Sequence, residues 1–143
     1  DENASALGGW SGHAGLYGTA REVYLLSQLV ADHYRGDRSD WIRPETARRF
    51  LSRGSSGCSG TFVLGWDTPT EGCSSSGMYF SGNTVGHLGF TGTSVWIDLE
   101  RDAIVVLLTN RVHPDRSNEK IRTFRPMIHD TVMRAMGFGG EKL

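Results

Sequence analysis

The residues with the strongest claim to chemistry lie in one stretch, Gly86-His87-Leu88-Gly89-Phe90-Thr91-Gly92-Thr93-Ser94-Val95-Trp96-Ile97-Asp98. In its second half Val95 and Ile97 alternate with Ser94, Trp96 and Asp98, the period-2 pattern of a half-buried strand. The first half is interrupted by Gly86, Gly89 and Gly92. Glycine weakens a strand unless the chain bulges there or another group approaches the backbone closely. Two readings fit: a bulged, irregular strand, or a strand whose amides line a cleft and are reachable by a ligand. In the second, the chemistry available is hydrogen-bond donation from exposed backbone amides to a bound ligand.

These residues need elements to position them. Asp98-Leu99-Glu100-Arg101-Asp102 reads as a polar turn, and Ala103 to Leu108 as a buried strand closed by Thr109-Asn110. So short a connection makes an antiparallel hairpin, because a parallel return needs a longer crossover. Upstream, Leu7 to Gly18 is broken by glycines and reads as loop. Thr19-Ala20-Arg21-Glu22 fits a capping box, and Val23, Leu26, Leu29, Val30 and His33 follow at helical spacing until Gly36. Arg43-Pro44-Glu45 opens a shorter helix with Ala47, Phe50 and Leu51 as its buried side. Phe62 to Trp66 reads as a strand, and Met78-Tyr79-Phe80 as a short edge segment. After Arg111-Val112-His113-Pro114 a last helix is expected, capped by Ser117 or Asn118, with Ile121, Phe124, Ile128, Val132 and Met136 as its stripe. Pro126 within it implies a kink or a late start. The order predicts an α+β fold, helices packed on an antiparallel sheet, with residues 1–143 as a single domain.

Composition narrows the function. A chain of 143 residues suits one domain with a core. With 38% hydrophobic and 22% charged residues it reads as globular rather than disordered. A net charge of -1 offers nothing that would draw a nucleic acid or an anionic membrane. No apolar run reaches the ~20 residues of a membrane span. The opening Asp1-Glu2-Asn3 has neither an initiator Met nor a signal-peptide pattern, and the chain reads as a piece of a longer protein. Cys58 and Cys73 flank the 62–66 segment; a disulfide there and two free thiols both fit, while a zinc site does not. There is no internal repeat and no extended low-complexity segment.

The Gly86 to Asp98 stretch, the strand Ile104 to Asn110 and the exit Arg111-Val112-His113-Pro114 together resemble the third-motif region of serine hydrolases with the β-lactamase and DD-peptidase fold. Gly12-His13-Ala14-Gly15-Leu16-Tyr17-Gly18-Thr19-Ala20-Arg21-Glu22 is similar to a stretch those proteins carry upstream. The resemblance implies acyl transfer, in which a serine attacks a carbonyl and two backbone amides stabilise the oxyanion. It places His87-Leu88-Gly89 where the family has Lys-Thr-Gly. It makes the Phe90 amide one oxyanion donor, with the nucleophile's own amide the other. Gly89 would permit close approach of substrate, and Asn110 would reach its polar end. The implied substrate is a small molecule or a peptidoglycan-like peptide, with no cofactor and no metal.

Two departures bear on activity. His87 replaces a lysine, and a histidine titrating near ~6.5 carries charge only conditionally. Leu88 replaces a threonine and removes a hydroxyl near the substrate's carboxylate. The nucleophile, its lysine and the second motif have no counterpart in the family's order. Ser117-Asn118-Glu119-Lys120 matches Ser-x-x-Lys but follows the hairpin, and Ser81-Gly82-Asn83 reads as a turn. The expectation is therefore the C-terminal part of such an enzyme, inactive alone. The alternative is a non-catalytic cell-wall or ligand-binding module of the same fold. A truncated sheet also implies self-association through an exposed edge.

The remaining polar residues read as structural. His13, His33, His113 and His129 have no metal-ligand spacing and suit surface or satisfied core positions. Trp10, Trp41, Trp66 and Trp96 suit core or interface positions, and Arg48-Arg49, Arg122, Arg125 and Arg134 solvated helix faces.

Overall fold

The computed structural model describes residues 1–54 and 60–140. Among these residues, four helices and three strands follow in the order α1 (Glu2–Ala6), α2 (Ala20–Arg35), α3 (Pro44–Leu51), β1 (Thr84–Leu88), β2 (Ser94–Asp98), β3 (Ala103–Leu107) and α4 (Ile121–Ala135). The strands form one antiparallel sheet in sequence order, so the fold is α+β as the sequence predicts.

Strand alternation sends side chains to two faces and thereby builds three layers. Val85 and Ile97 pack with Ala31, Leu51 and Val63 on the α2–α3 side. Trp96, Ala103 and Val105 pack with Phe80 and with Met133 of α4 on the other. α2 starts on the expected capping box: Thr19 Oγ1 accepts from Glu22 N at 3.3 Å, and Glu22 Oε2 accepts from Thr19 N at 2.7 Å. It ends at Gly36 with φ 95°, a left-handed C-cap that favours glycine.

The structure corrects several expectations. Gly86 to Asp98 is not one strand but the end of β1, a turn over 89–93, and β2. The Gly89 amide donates to Thr93 O and the Gly92 amide to Gly89 O, and Gly92 has φ 108°. The glycines thus close a hairpin. Gly86 stays within β1 because the Trp96 ring lies where a Cβ would stand. Phe62 to Trp66 is no strand: Val63 bridges back to Trp66 around Gly65 at φ 83°, which buries Val63 and leaves Phe62 exposed. Met78 to Phe80 is likewise irregular. β3 stops at Leu107, one residue short of its apolar run.

The helical stripes are rotated from the expected ones. α2 buries Ser27, Ala31 and His33 and leaves Leu26 exposed, because the small residues at i and i+4 let it approach the sheet. On α3, Ala47 and Leu51 are buried but Phe50 is exposed. α4 buries Ile121, Arg125, His129 and Met133 and runs through Pro126 without breaking. Its N-cap is Lys120, with no side-chain cap bond; Asn118 Oδ1 accepts from Lys120 N instead. α1, capped by Asp1, falls in a segment with no helical pattern long enough to read.

Candidate active site

β1 is the edge of the sheet that carries His87-Leu88-Gly89-Phe90. Its register against β2 pairs Val85 with Ile97 and His87 with Val95. The Gly86 amide and carbonyl bond instead to Asp67, at 2.8 and 2.7 Å. In an antiparallel ladder every second residue turns its backbone groups outward. Gly86, Leu88 and Phe90 are those residues. Asp67 therefore blocks the outer edge at Gly86 and leaves it open from Leu88 onward. Among the described residues, the Phe90 amide has no hydrogen-bond partner, so it is a free donor at the open end of the strand.

The turn that presents this amide is clamped from two sides. Arg111 Nε donates to Phe90 O at 2.8 Å, and the guanidinium lies 4.5 Å from the Phe90 ring centroid. The Arg111 amide donates to Thr91 O, and Thr109 Oγ1 donates to Gly92 O. From α4, Arg125 Nη2 donates to Gly89 O at 2.7 Å and to Thr93 O at 2.8 Å. Arg125 is only 8% exposed, and its Nε is sealed from solvent without a partner. Burial, and then the charge of Arg111, lower its pKa.

The five residues singled out in the sequence do not converge. Leu88, Gly89 and Phe90 line one cavity of about 270 Å³, together with Arg111, Glu119, Ile121, Arg122 and Arg125. Leu88 also borders a larger groove of about 900 Å³ between residues 69–82 and α4. His87 projects to the opposite face from Leu88 and is exposed. Asn110 is exposed beside the turn and borders neither cavity.

Comparison with known proteins settles the family. The β-lactamase family model matches residues 1–126. The chain belongs to the β-lactamase family. It is 33% identical over 129 residues to "Putative D-alanyl-D-alanine carboxypeptidase" of Salmonella agona and, at the same identity, to its counterpart in Salmonella newport. The match takes in 85% of this chain and 28% of each relative, so the chain spans well under half the length of the curated relatives it matches. A solved β-lactamase from Mycobacterium bovis superposes with a TM-score of 0.61 over 82% of this chain and 44% of that one, at 19% identity. That likeness bears on the fold.

Within this family the serines of the chain can be sorted by their surroundings. Ser117 Oγ donates to Asp115 at 2.6 Å on the surface, ahead of α4, and Lys120 lies at the helix cap, so the Ser-x-x-Lys match does not form a helix-borne pair. Ser81 Oγ donates to the buried Asp98 at 2.6 Å, and Asn83 Nδ2 donates to Tyr34 Oη at 3.1 Å, which makes that triplet a turn. Ser94 Oγ and His129 Nε2 are 3.2 Å apart, and His129 Nδ1 lies 2.9 Å from Ser75 O. A carbonyl only accepts, so Nδ1 holds the hydrogen and Nε2 accepts from Ser94. Both residues are buried, and burial pushes the His129 pKa down. This pair resembles part of a triad but has no carboxylate and no access to a substrate.

Sequence reasoning missed Arg111 and Arg125 as parts of this site. Arg125 carried a signal, since it stands four residues from both Ile121 and His129 on the stripe that α4 buries. Arg111 carried none beyond following Asn110. His33 is a satisfied core histidine, with Nδ1 at 2.8 Å from Leu29 O and Nε2 accepting from Trp41 N. The disulfide expectation involves Cys58, which lies outside the described residues; Cys73 is exposed. No helix among the described residues is long and apolar enough to cross a membrane.

Proposed function

We propose that this chain is the C-terminal portion of a β-lactamase-like serine hydrolase and supplies one wall of its acyl-transfer site. The free Phe90 amide at the open end of β1, beside a cavity, is the observation that carries this reading. A serine from a segment preceding Asp1 attacks the carbonyl carbon of an ester, amide or β-lactam. The carbonyl oxygen becomes an oxyanion and accepts from the Phe90 amide and from the nucleophile's own amide. Collapse breaks the acyl C–O or C–N bond as the proton lost by the serine passes to the departing oxygen or nitrogen, which in a β-lactam stays tethered to the acyl group, and water then releases the acyl group from the serine as a carboxylic acid.

The other residues take supporting roles. Gly89 leaves room for the Thr93 side chain, which a Cβ there would strike, and so lets the turn that carries the Phe90 amide close, and Leu88 forms an apolar boundary between the two cavities. Asn110 stands exposed beside the turn, and His87 lies on the opposite face of β1, where it meets a substrate only if the segment preceding Asp1 folds over that face. The Salmonella relatives' name supports a peptide ending in D-alanine as the substrate class. No cofactor or metal enters the reaction.

The test is intact mass spectrometry after incubation with a fluorescent penicillin or a fluorophosphonate. No adduct is expected on the 143-residue chain, and one adduct per chain is expected when the preceding segment of the parent is restored. An adduct on this chain alone would overturn the claim that the nucleophile lies elsewhere. Failure of the restored protein to label would favour a non-catalytic, ligand-binding module of the same fold.

A further inference from the structure

His129 is a titratable group that the acyl-transfer reading leaves unused. It is fully buried on α4, between β2 and the segment 74–78 that walls the groove of about 900 Å³. Its ring joins the two. Nδ1 donates to Ser75 O at 2.9 Å and Nε2 accepts from Ser94 Oγ at 3.2 Å, with the Phe80 ring edge-on at 6.2 Å. These partners satisfy a neutral imidazole and conflict with a charged one, in which both ring nitrogens donate. A proton on Nε2 would point at Ser94 Oγ, whose own hydrogen has no other acceptor among the described residues. Burial and the neighbouring Arg125 also oppose that proton, while the Ser75 carbonyl and Asp130 favour it. Both of these charged groups stand on α4. β2 and the 74–78 segment face the ring with Ser94 and Ser75, which carry no charge, and the other charges on the groove, Arg53, Glu71 and Arg122, are exposed.

The neighbours of the ring are not equally fixed. β2 is the central strand, paired on both sides. The 74–78 segment belongs to no strand, and its hydrogen bonds are otherwise internal. Among the described residues it is tied to the rest of the chain at Ser75 O, by His129, and at the Met78 amide, which donates to Asp130 Oδ1 at 2.6 Å. Both ties end on adjacent residues of α4. Gly77, at φ 87°, lies so close to Asp130 that a Cβ would strike the carboxylate, so the segment lies flat on the helix only where these ties hold it.

We propose that residues 74–78 are a pH-operated flap on the groove, shut while His129 is neutral and released when its ring takes a proton and turns toward solvent. Opening lifts the wall formed by Ser75, Gly77 and Met78 and widens a groove that shares Leu88 with the smaller cavity. In the open state the ring is solvated and titrates near ~6.5, whereas the closed state takes the proton only at lower pH, so acid favours opening. The ratio of open to closed rises roughly tenfold for each pH unit below ~6.5 until the closed form protonates as well. The device rests on α4, β2 and the 74–78 segment, and stands whether or not the acyl-transfer reading holds.

NMR-detected hydrogen exchange of the whole chain, corrected for the intrinsic rate, reads the opening. Between about pH 7.5 and about pH 5 the Met78 amide is expected to lose protection roughly tenfold per unit below ~6.5, while the amides of β2 keep theirs. His129→Gln removes the titrating ring, and its Met78 protection is expected to be the same at both ends of that range. Where that variant fails to fold, Asp130→Ala cuts the other tie and is expected to speed Met78 exchange roughly tenfold or more at neutral pH, with the pH dependence retained. Constant Met78 protection across the range in the unaltered chain would overturn the proposal. So would loss in step with β2, which marks unfolding of the whole chain, or a pH dependence that survives in His129→Gln. None of these readouts depends on covalent labelling of the parent, so the two tests fail separately.

Discussion

Arg111 holds Phe90 twice, by a 2.8 Å hydrogen bond from Nε to the Phe90 carbonyl and by its guanidinium over the Phe90 ring at 4.5 Å. The carbonyl and the amide of adjoining peptide planes are coupled through one residue's backbone. Fixing the first therefore aims the second. On the proposed acyl-transfer reading, Arg111→Ala in a protein that restores the segment preceding Asp1 is expected to lower kcat/KM by about 10- to 100-fold, the scale of weakening one oxyanion donor. Arg111→Lys should recover only part, since a lysine cannot reproduce the planar fork. Steady-state kinetics with a D-alanyl peptide and a chromogenic β-lactam check this; unchanged kcat with a raised KM would assign Arg111 to binding alone.

The approach of Gly86 to Trp96 is set by strand register, and a side chain at residue 86 would enter the indole ring. Gly86→Ala is expected to destabilise the chain by about 3 kcal/mol, the upper range for overpacking a tight core. Urea unfolding followed by tryptophan fluorescence measures it. A loss below about 1 kcal/mol would mean that β1 and β2 separate easily.

How far this architecture can be read from the sequence depends on the range of the interactions involved. The β2–β3 hairpin and the α2 caps are fixed by neighbours in sequence, and both stand as expected. The break at Gly89 is not local in this sense. The glycines at 86, 89 and 92 interrupt the alternating pattern without saying whether the chain bulges or turns, and the turn is fixed by the arginine clamps that reach it from residues 111 and 125. The stripe of α4 was misplaced for a related reason: an arginine and a histidine occupy buried positions, because backbone carbonyls from the turn and from Ser75 come to meet them. Apolar periodicity cannot register a partner supplied from 30 or more residues away. Strand alternation did carry the fact that His87 and Leu88 face opposite ways, which a motif read as a unit conceals.

Asp98 is buried, and its carboxylate accepts from Ser81 N, Ser81 Oγ, Glu100 N and Arg101 N at 2.6 to 3.1 Å. The group holds the 81–83 turn to the end of β2 and shapes the β2–β3 connection. Asp98→Asn turns an NH2 toward donors and is expected to cost about 2–4 kcal/mol. Chemical denaturation checks it. Asp98→Ala should cost at least as much, and a variant as stable as the parent chain would show that the network relaxes around its loss.

His129 gives stability a pH dependence of definite sign. Burial lowers its pKa in the folded chain, whereas the unfolded chain titrates near ~6.5. Above that pH both states are neutral at this residue and it contributes no slope. As pH falls below it, the unfolded state binds a proton that the folded state refuses, so stability declines until the folded pKa is reached. The limiting slope is about 1.4 kcal/mol per pH unit. Asp40, whose carboxyl lies at about 2 beside Arg38, and the other lowered carboxylates act at more acid pH. His129→Gln should flatten the decline between about pH 6.5 and 5; an undiminished slope in that variant would remove His129 from the effect.

The sheet also predicts how the isolated chain behaves. Asp67 occupies the outer edge of β1 at Gly86, so β1 is a poor template for a further strand. β3 has no such cover: among the described residues no strand pairs with its far side. Trp10, Leu16 and Tyr17 stand about nine-tenths exposed on the 7–18 loop. An open edge and unpaired apolar side chains both favour association. We expect the chain to sediment as a dimer or larger species in a concentration-dependent way. Lysine placed at exposed Leu108, just beyond β3, should shift it toward monomer, because an edge charge must be desolvated when a second strand docks. Lysine at Phe62, exposed on the segment that leads through Asp67 to the covered β1 edge, should leave association unchanged. A single monomer boundary over a wide concentration range would show that the edge is closed by the chain's own backbone.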